Sequence, residues 1–222
     1  MLLATRESAV KSKRAAITLM KGLLVSAAPS LREGLRGLAT REQLDRCARL
    51  RISPTQTSEQ RATIIAIRAS ARRATALREE ALQLEREIEP IVERVAPSLL
   101  SEMGVGPIVA AQILCAYSHT GRIRSEAAFA ALAGVAPIPA SSGQTVRHRL
   151  NRSGDRQLNR ALHTRSSSAA CATTPKPAHT QPAAKPKDTP PREIKRCLKR
   201  YTARHLYRLL NNTLPNPANS ET

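Results

Sequence analysis

The sequence has no tryptophan and one phenylalanine, and aromatic residues make up 2% of its 222 positions. Stacking of bases on aromatic platforms is thereby excluded as a main means of holding nucleic acid. Any core must be built from Leu, Ile, Val and Ala, and such thin cores favour helix pairs over sheets. The four cysteines, Cys47, Cys115, Cys171 and Cys197, are far apart and form no CxxC pair. That spacing argues against a zinc site and for free thiols in a reducing cytoplasm. No stretch approaches the roughly 18 apolar residues of a membrane span. Residues 1–26 are apolar and basic, but the charges are interspersed, which reads as an amphipathic helix and not a signal peptide. Acid is scarce as well: 17 Asp and Glu face 36 Lys and Arg, for a net charge of +19. A chain this basic meets a polyanion, with nucleic acid the default partner and a ribosomal or membrane surface the rival.

What is present reads as helix. Leu2, Leu3, Val10, Ile17, Met20, Leu24 and Val25 give residues 1–28 one helix, stopped by Pro29. A short helix follows over 30–38, and Thr40 with Gln43 reads as the capping box of another that runs to about Arg51. The longest helix spans about 58–95. Its positions 67, 70, 74, 77, 81, 84, 88, 91 and 95 alternate steps of three and four and are apolar except for Ser70, a heptad seam flanked by Arg and Glu. An antiparallel hairpin with the N-terminal helix and pairing between two chains both satisfy that seam.

The second half is punctuated by glycine. A short helix ends at Gly104, and Pro107 suits the first turn of the next. Helix, Gly104-Val-Gly106, helix is the pattern of a helix-hairpin-helix, in which backbone N–H groups approach a phosphate, although a plain turn has the same letters. Ser125 caps an Ala-rich helix that turns Phe129 and Leu132 inward and stops at Gly134. Pro137 and Pro139 hold the chain extended into "ASSGQTVRHRLNRSGDR", residues 140–156. There Ser141 and Ser142 precede Gly143 amid Arg147, His148, Arg149 and Arg152. Gly154 and Asp155 break the chain before a helix to about Thr164 that bears Arg156, Asn159, Arg160 and His163. Residues 165–190, rich in Ala, Pro, Thr and Ser without period, read as disordered. A basic helix resumes over 191–211 with Ile194, Leu198, Tyr201, His205 and Leu209 as its face, and 212–222 is a tail.

"GVGPIVAAQILCAY", "FAALAGVAPIPASSGQTVRHRLNRSGDRQLNRALH" and "REIKRCLKRYTARHLYRLL" resemble, in order and spacing, the C-terminal part of insertion-sequence 110 family transposases, the IS116/IS110/IS902 type. "LLATRESAVKSKRAAITLMKGLLV" resembles the stretch after that family's first domain. The resemblance covers nearly all of 1–164 and 191–211. It implies a mainly α chain with a coiled-coil helical hairpin at 1–96, a small helix-hairpin-helix transposase domain at 97–164, a linker at 165–190 and a C-terminal helix. It implies bacterial DNA transposition by a serine that attacks a DNA phosphodiester and holds the end as a phosphoserine ester. Ser142 is that serine, with Ser141 its rival. Family members place four metal-binding acidic residues, which hold Mg2+, in an N-terminal RuvC-like domain, use a structured guide (bridge) RNA, and work as oligomers.

A serine hydroxyl needs a base, a metal or dense positive charge to attack phosphorus. Arg147, Arg149 and Arg152 are the candidate charges, joined by Gly104, Gly106, Arg156 and Arg160 as phosphate contacts; His148 is a candidate base or a solvated loop histidine. No acidic quartet is expected within these 222 residues, so a truncated copy with impaired catalysis, cytoplasmic and nucleoid-associated, is the expectation, with no metal or other cofactor held by this stretch itself. A non-enzymatic basic helix-hairpin-helix binder is the alternative. Residues 165–190 are either a true linker or a local reading-frame change. For the latter, the coding DNA read one base over should give Met-Arg-Tyr-Asp-Pro-Glu-Thr-Arg-Ala-Tyr against "ACATTPKPAHT"; its absence from the nucleotide sequence leaves the linker.

Overall fold

The computed structural model describes residues 1–139, 148–149, 151, 153–171 and 191–214. These residues are mainly helical. The helices are α1 (Leu2–Val25), α2 (Pro29–Leu35), α3 (Thr40–Ala48), α4 (Ser58–Val95), α5 (Pro97–Leu100), α6 (Pro107–Tyr117), α7 (Glu126–Leu132), α8 (Arg156–Cys171) and α9 (Pro191–Thr213). Two short strands, β1 (Ile138–Pro139) and β2 (His148–Arg149), interrupt them. The chain forms two compact units, Met1–Glu87 and Ile88–Thr222. The boundary falls inside α4, ahead of the end at residue 96 expected for the helical region.

In the first unit, α1 runs antiparallel to α4. Near one end Arg6 Nη2 lies 3.1 Å from Glu85 Oε2. Toward the other, Ala16 and Met20 share a core with Ile67, Ala71 and Ala74, closed by Leu35, Leu44 and Cys47 from α2 and α3. The antiparallel hairpin is thus formed within the chain. Small residues on both helices, Ala9 and Ala16 on α1 and Ala71, Ala74 and Ala81 on α4, are buried where they face inward. Val25, expected on the packing face, is 73% exposed, because the buried stripe of α1 is Ala9, Ala16 and Met20. Burial pushes the Cys47 thiol up, as befits a core residue.

The expected capping box at Thr40 does not form. Ala39 is the N-cap of α3, and Gln43 Nε2 instead donates to Leu35 O at 3.2 Å. The reciprocal pair occurs one helix later: Gln60 N donates to Thr57 Oγ1 and Thr57 N to Gln60 Oε1, each at 3.2 Å, and starts α4. The seam of α4 holds through Ile88 and then shifts. Val92 is buried, whereas Ile91 and Val95 are about half exposed. Pro90 lies inside the helix there, and steps of four, Ile88, Val92, Ala96, replace the alternation.

The second unit packs α6, α7, α8, α9 and the four-residue α5. Its centre is aromatic. Tyr117, Phe129 and Tyr207 meet at centroid distances of 6.1–6.4 Å, two of the pairs edge-on. Each such pair contributes roughly 0.5–1.5 kcal/mol beyond its buried area. Both phenols are satisfied, Tyr117 by Asn211 Oδ1 at 2.7 Å and Tyr207 by Ile123 O at 2.9 Å. The expected face of α9 is rotated. Tyr201 and His205 are exposed, while Thr202, Ala203, Leu206 and Leu210 are buried, since two small residues between leucines let α9 lie close on α7 and α8.

Helix α8 does not end at Thr164. It continues through Cys171, with Ser166 buried and bonded to Leu162 O and Thr202 Oγ1, so residues 165–171 are not linker. Residues 172–190, including the remainder of the expected linker, and 215–222 lie outside the described residues.

Two glycines in this unit differ in what they permit. A Cβ on Gly154 would sit 2.3 Å from Gly134 N and 2.4 Å from its Cα, whereas one on Gly106 would meet open space. Gly154→Ala should therefore cost about 3 kcal/mol through overpacking of backbone on backbone, and Gly106→Ala well under 1 kcal/mol. Urea unfolding of the two variants checks both expectations.

Candidate functional site

The serine-bearing stretch is anchored by what flanks it. Ser125 Oγ accepts from Ala128 N at 3.2 Å and opens α7 as expected. Helix α7 closes in a Schellman motif: Val135 N donates to Ala130 O and Gly134 N to Ala131 O, with Gly134 at φ +65°. Gly154 presses on that same Gly134, and Asp155 N donates to Leu132 O at 2.7 Å. Asp155 also caps α8, its Oδ1 accepting from Gln157 N and Leu158 N at 2.7 and 2.9 Å. The chain leaves this base along β1 and returns along β2, antiparallel, with Ile138 opposite Arg149 and Pro139 opposite His148.

A side-chain brace reinforces the same base. Asn159 Nδ2 donates to Ala133 O at 2.7 Å, and its Oδ1 accepts from Lys199 Nζ at 2.9 Å, tying α7, α8 and α9 together. Burial pushes the Lys199 ammonium down. Sequence reasoning marked Asn159 only as a polar helix residue and did not mark Lys199. Their signal, a polar residue on each of two helices that meet, exists only once α8 and α9 are paired.

Of the expected contacts, Arg149, Arg156 and Arg160 are exposed on the strand and helix that follow the serine stretch. Gly104 adopts φ +75°, and Gly106 is the N-cap of α6 with extended backbone and open space at its Cα. Gly104 and Gly106 belong to a turn between α5 and α6. Ser141, Ser142, Gly143, Arg147 and Arg152 lie outside the described residues, as does the side chain of His148.

Three carboxylates of this unit, Glu102, Glu126 and Asp155, are committed to the fold. Glu102 accepts from Arg165 Nη2 at 2.6 Å and lies 2.8 Å from His205 Nε2. Glu126 pairs with Arg204 at 3.4 Å and Arg208 at 3.1 Å, and Asp155 is a cap. Among the described residues no three of His, Cys, Asp and Glu come together to hold a metal ion. These carboxylates do not fit Mg2+, because each already neutralises a cation or caps a helix.

Residues 96–181 match the family model described as Transposase IS116/IS110/IS902 family. This segment is similar to that family. No curated protein matches the chain. The transposase segment begins just ahead of α5 and includes the glycine pair, the paired strands, the serines and all of α8, and it extends into the residues first read as linker. The match supports a transposase function for the segment and an interaction with DNA. Helix α9 packs on the transposase segment but lies beyond the matched residues. No helix among the described residues is long and apolar enough to cross a membrane.

Burial pushes the Glu102 carboxyl up, but the hydrogen bonds and charges of His205 and Arg165 outweigh it and hold the group below its ordinary value. A carboxyl whose folded pKa is depressed stabilises the fold above the unfolded pKa, about 4.3 for Glu. That contribution is lost as pH falls through the folded value. The melting temperature of the chain should therefore drop more between pH 5 and pH 3 than that of Glu102→Gln, and parallel curves would contradict this.

Proposed function

We propose that this chain carries the end-joining half of a serine transposase of a bacterial insertion sequence. Ser142 is the nucleophile, with Ser141 its rival. Its Oγ attacks phosphorus of a DNA phosphodiester and forms a phosphoserine ester. The bond from phosphorus to the leaving deoxyribose oxygen breaks, the serine proton passes to a base, and the departing oxygen takes up a proton. Arg147, Arg149 and Arg152 offset the charge that gathers on the equatorial oxygens. Arg156 and Arg160 on α8, with the Gly104–Gly106 turn at the start of α6, hold the flanking backbone, which positions DNA without reading bases. His148 is a candidate base for the serine proton.

The observation that carries this reading is the frame around the serine stretch. Its family segment spends a glycine–glycine contact, a Schellman turn, a cap on Asp155 and a strand pair on fixing both ends of one short stretch. Such rigidity is what in-line displacement at phosphorus requires of its nucleophile. The metal-binding carboxylates of the full reaction would come from outside these residues, in a RuvC-like domain that holds Mg2+. A structured guide RNA and further copies of the chain are the partners this reading assigns, with the nucleoid in the bacterial cytoplasm as its place of action.

The test supplies a RuvC-like domain in trans with Mg2+ and duplex element ends, and looks for protein-linked DNA on a denaturing gel. Ser142→Ala should abolish the adduct and Ser141→Ala should retain it. The opposite pattern moves the nucleophile to Ser141. DNA binding without any adduct, unchanged by either substitution, favours a non-enzymatic basic DNA-binding protein.

A further inference from the structure

Helix α9 carries seven Lys and Arg against one Glu. A merely solvated helix face mixes both signs. Four of the cations recur every fourth residue: Arg196, Arg200, Arg204 and Arg208. A step of four advances about 6 Å along a helix, so the ladder is about 18 Å long and drifts slowly around the axis. The opposite side of α9, Thr202, Ala203, Leu206 and Leu210, is buried against the rest of the unit. The ladder therefore turns outward as it proceeds, and the side chain of Arg204 is 40% exposed and that of Arg208 70%.

We infer that this ladder is a DNA-backbone-binding surface, distinct from the serine stretch, and that Glu126 holds its C-terminal half partly neutralised until a phosphate displaces it. Glu126 stands at the first turn of α7 and reaches both upper rungs, with Oε1 3.4 Å from Arg204 Nε and Oε2 3.1 Å from Arg208 Nη2. One carboxylate bridging two guanidinium groups occupies the place a phosphate would take. Duplex DNA presents one charge per about 1.7 Å of axis, so a ladder of this length finds a phosphate for each rung. The choice of DNA as the polyanion rests on the transposase reading; the surface itself rests on the charge and geometry of α9.

The experiment measures fluorescence anisotropy of a random-sequence DNA duplex of about 20 base pairs bound by the whole chain over a range of salt. Arg204→Ala with Arg208→Ala should lower affinity on the order of tenfold and reduce the slope of log K against log salt by about two, since each lost phosphate contact removes about 0.9. The loss should persist in a Glu126→Gln background, which excludes repulsion from a stranded carboxylate as its cause. Arg204→Lys with Arg208→Lys should keep the slope. Glu126→Gln alone should tighten binding about two- to fivefold at low salt, the scale of an exposed ion pair removed from competition. An unchanged slope in the double alanine variant, with its melting curve intact, overturns the surface, and unchanged or weaker binding by Glu126→Gln overturns the gating. An RNA duplex of equal length forms the second arm, and rung substitutions that weaken only RNA binding overturn the assignment to DNA. The readout is binding to DNA and not the protein-linked adduct, so failure of this surface and failure of the serine mechanism are read separately.

Discussion

The contact between Gly134 and Gly154 constrains everything around the serine stretch. Nineteen residues separate the two in sequence, yet their backbones touch, and a single methyl group on Gly154 would overlap Gly134 by more than an ångström. Close approach of backbones is the one thing that only glycine provides without cost to its neighbours. Because of it, Asp155 can cap α8 and bond Leu132 O from the same position, and Asn159, one turn later, reaches Ala133 O. The strand pair β1–β2 then stands on a base whose two sides cannot separate. The ends of the serine stretch are in this way fixed by backbone, the part of the chain least able to relax.

Much of this was legible in the sequence, and the reasons for the rest are local. The α4 pattern, the Ser125 cap and the breaks at Gly104, Gly134 and Gly154 could be read because each depends on neighbours within a turn or two. The face of α9 was misread by about one residue step. Tyr201 and His205 look apolar enough to be inside, but the packing surface offered by α7 and α8 selects Thr202 and Ala203 for their size. The Thr40–Gln43 box failed although its letters were right, because Leu35 O competes for Gln43, a tertiary acceptor no local pattern contains. Residues 165–171 read as linker from composition, yet Arg165 has Glu102 to pair with and Ser166 has Thr202, and those partners extend α8. The roles of Ser142, Arg147 and Arg152 rest on resemblance and position along the chain; Arg149, Arg156 and Arg160 are exposed on the elements that follow.

Charge is distributed with the same economy. Basic residues outnumber acidic ones two to one, and three of the carboxylates bridge helices. Glu85 joins α1 to α4, Glu102 joins α5's exit to α8 and α9, and Glu126 joins α7 to α9. These three acidic side chains tie together helices that carry an excess of positive charge, and the surplus of cations suits a polyanion.

The aromatic residues carry one more consequence. Phe129, Tyr117, Tyr201 and Tyr207 all fall after residue 88, and the three that are most enclosed form a single cluster. The first unit contains no aromatic side chain at all. Near-ultraviolet circular dichroism and tyrosine emission therefore see only the second unit, while far-ultraviolet helicity sees both. The protein comes with its two halves spectroscopically separated, and the order in which they melt can be followed without attaching a label.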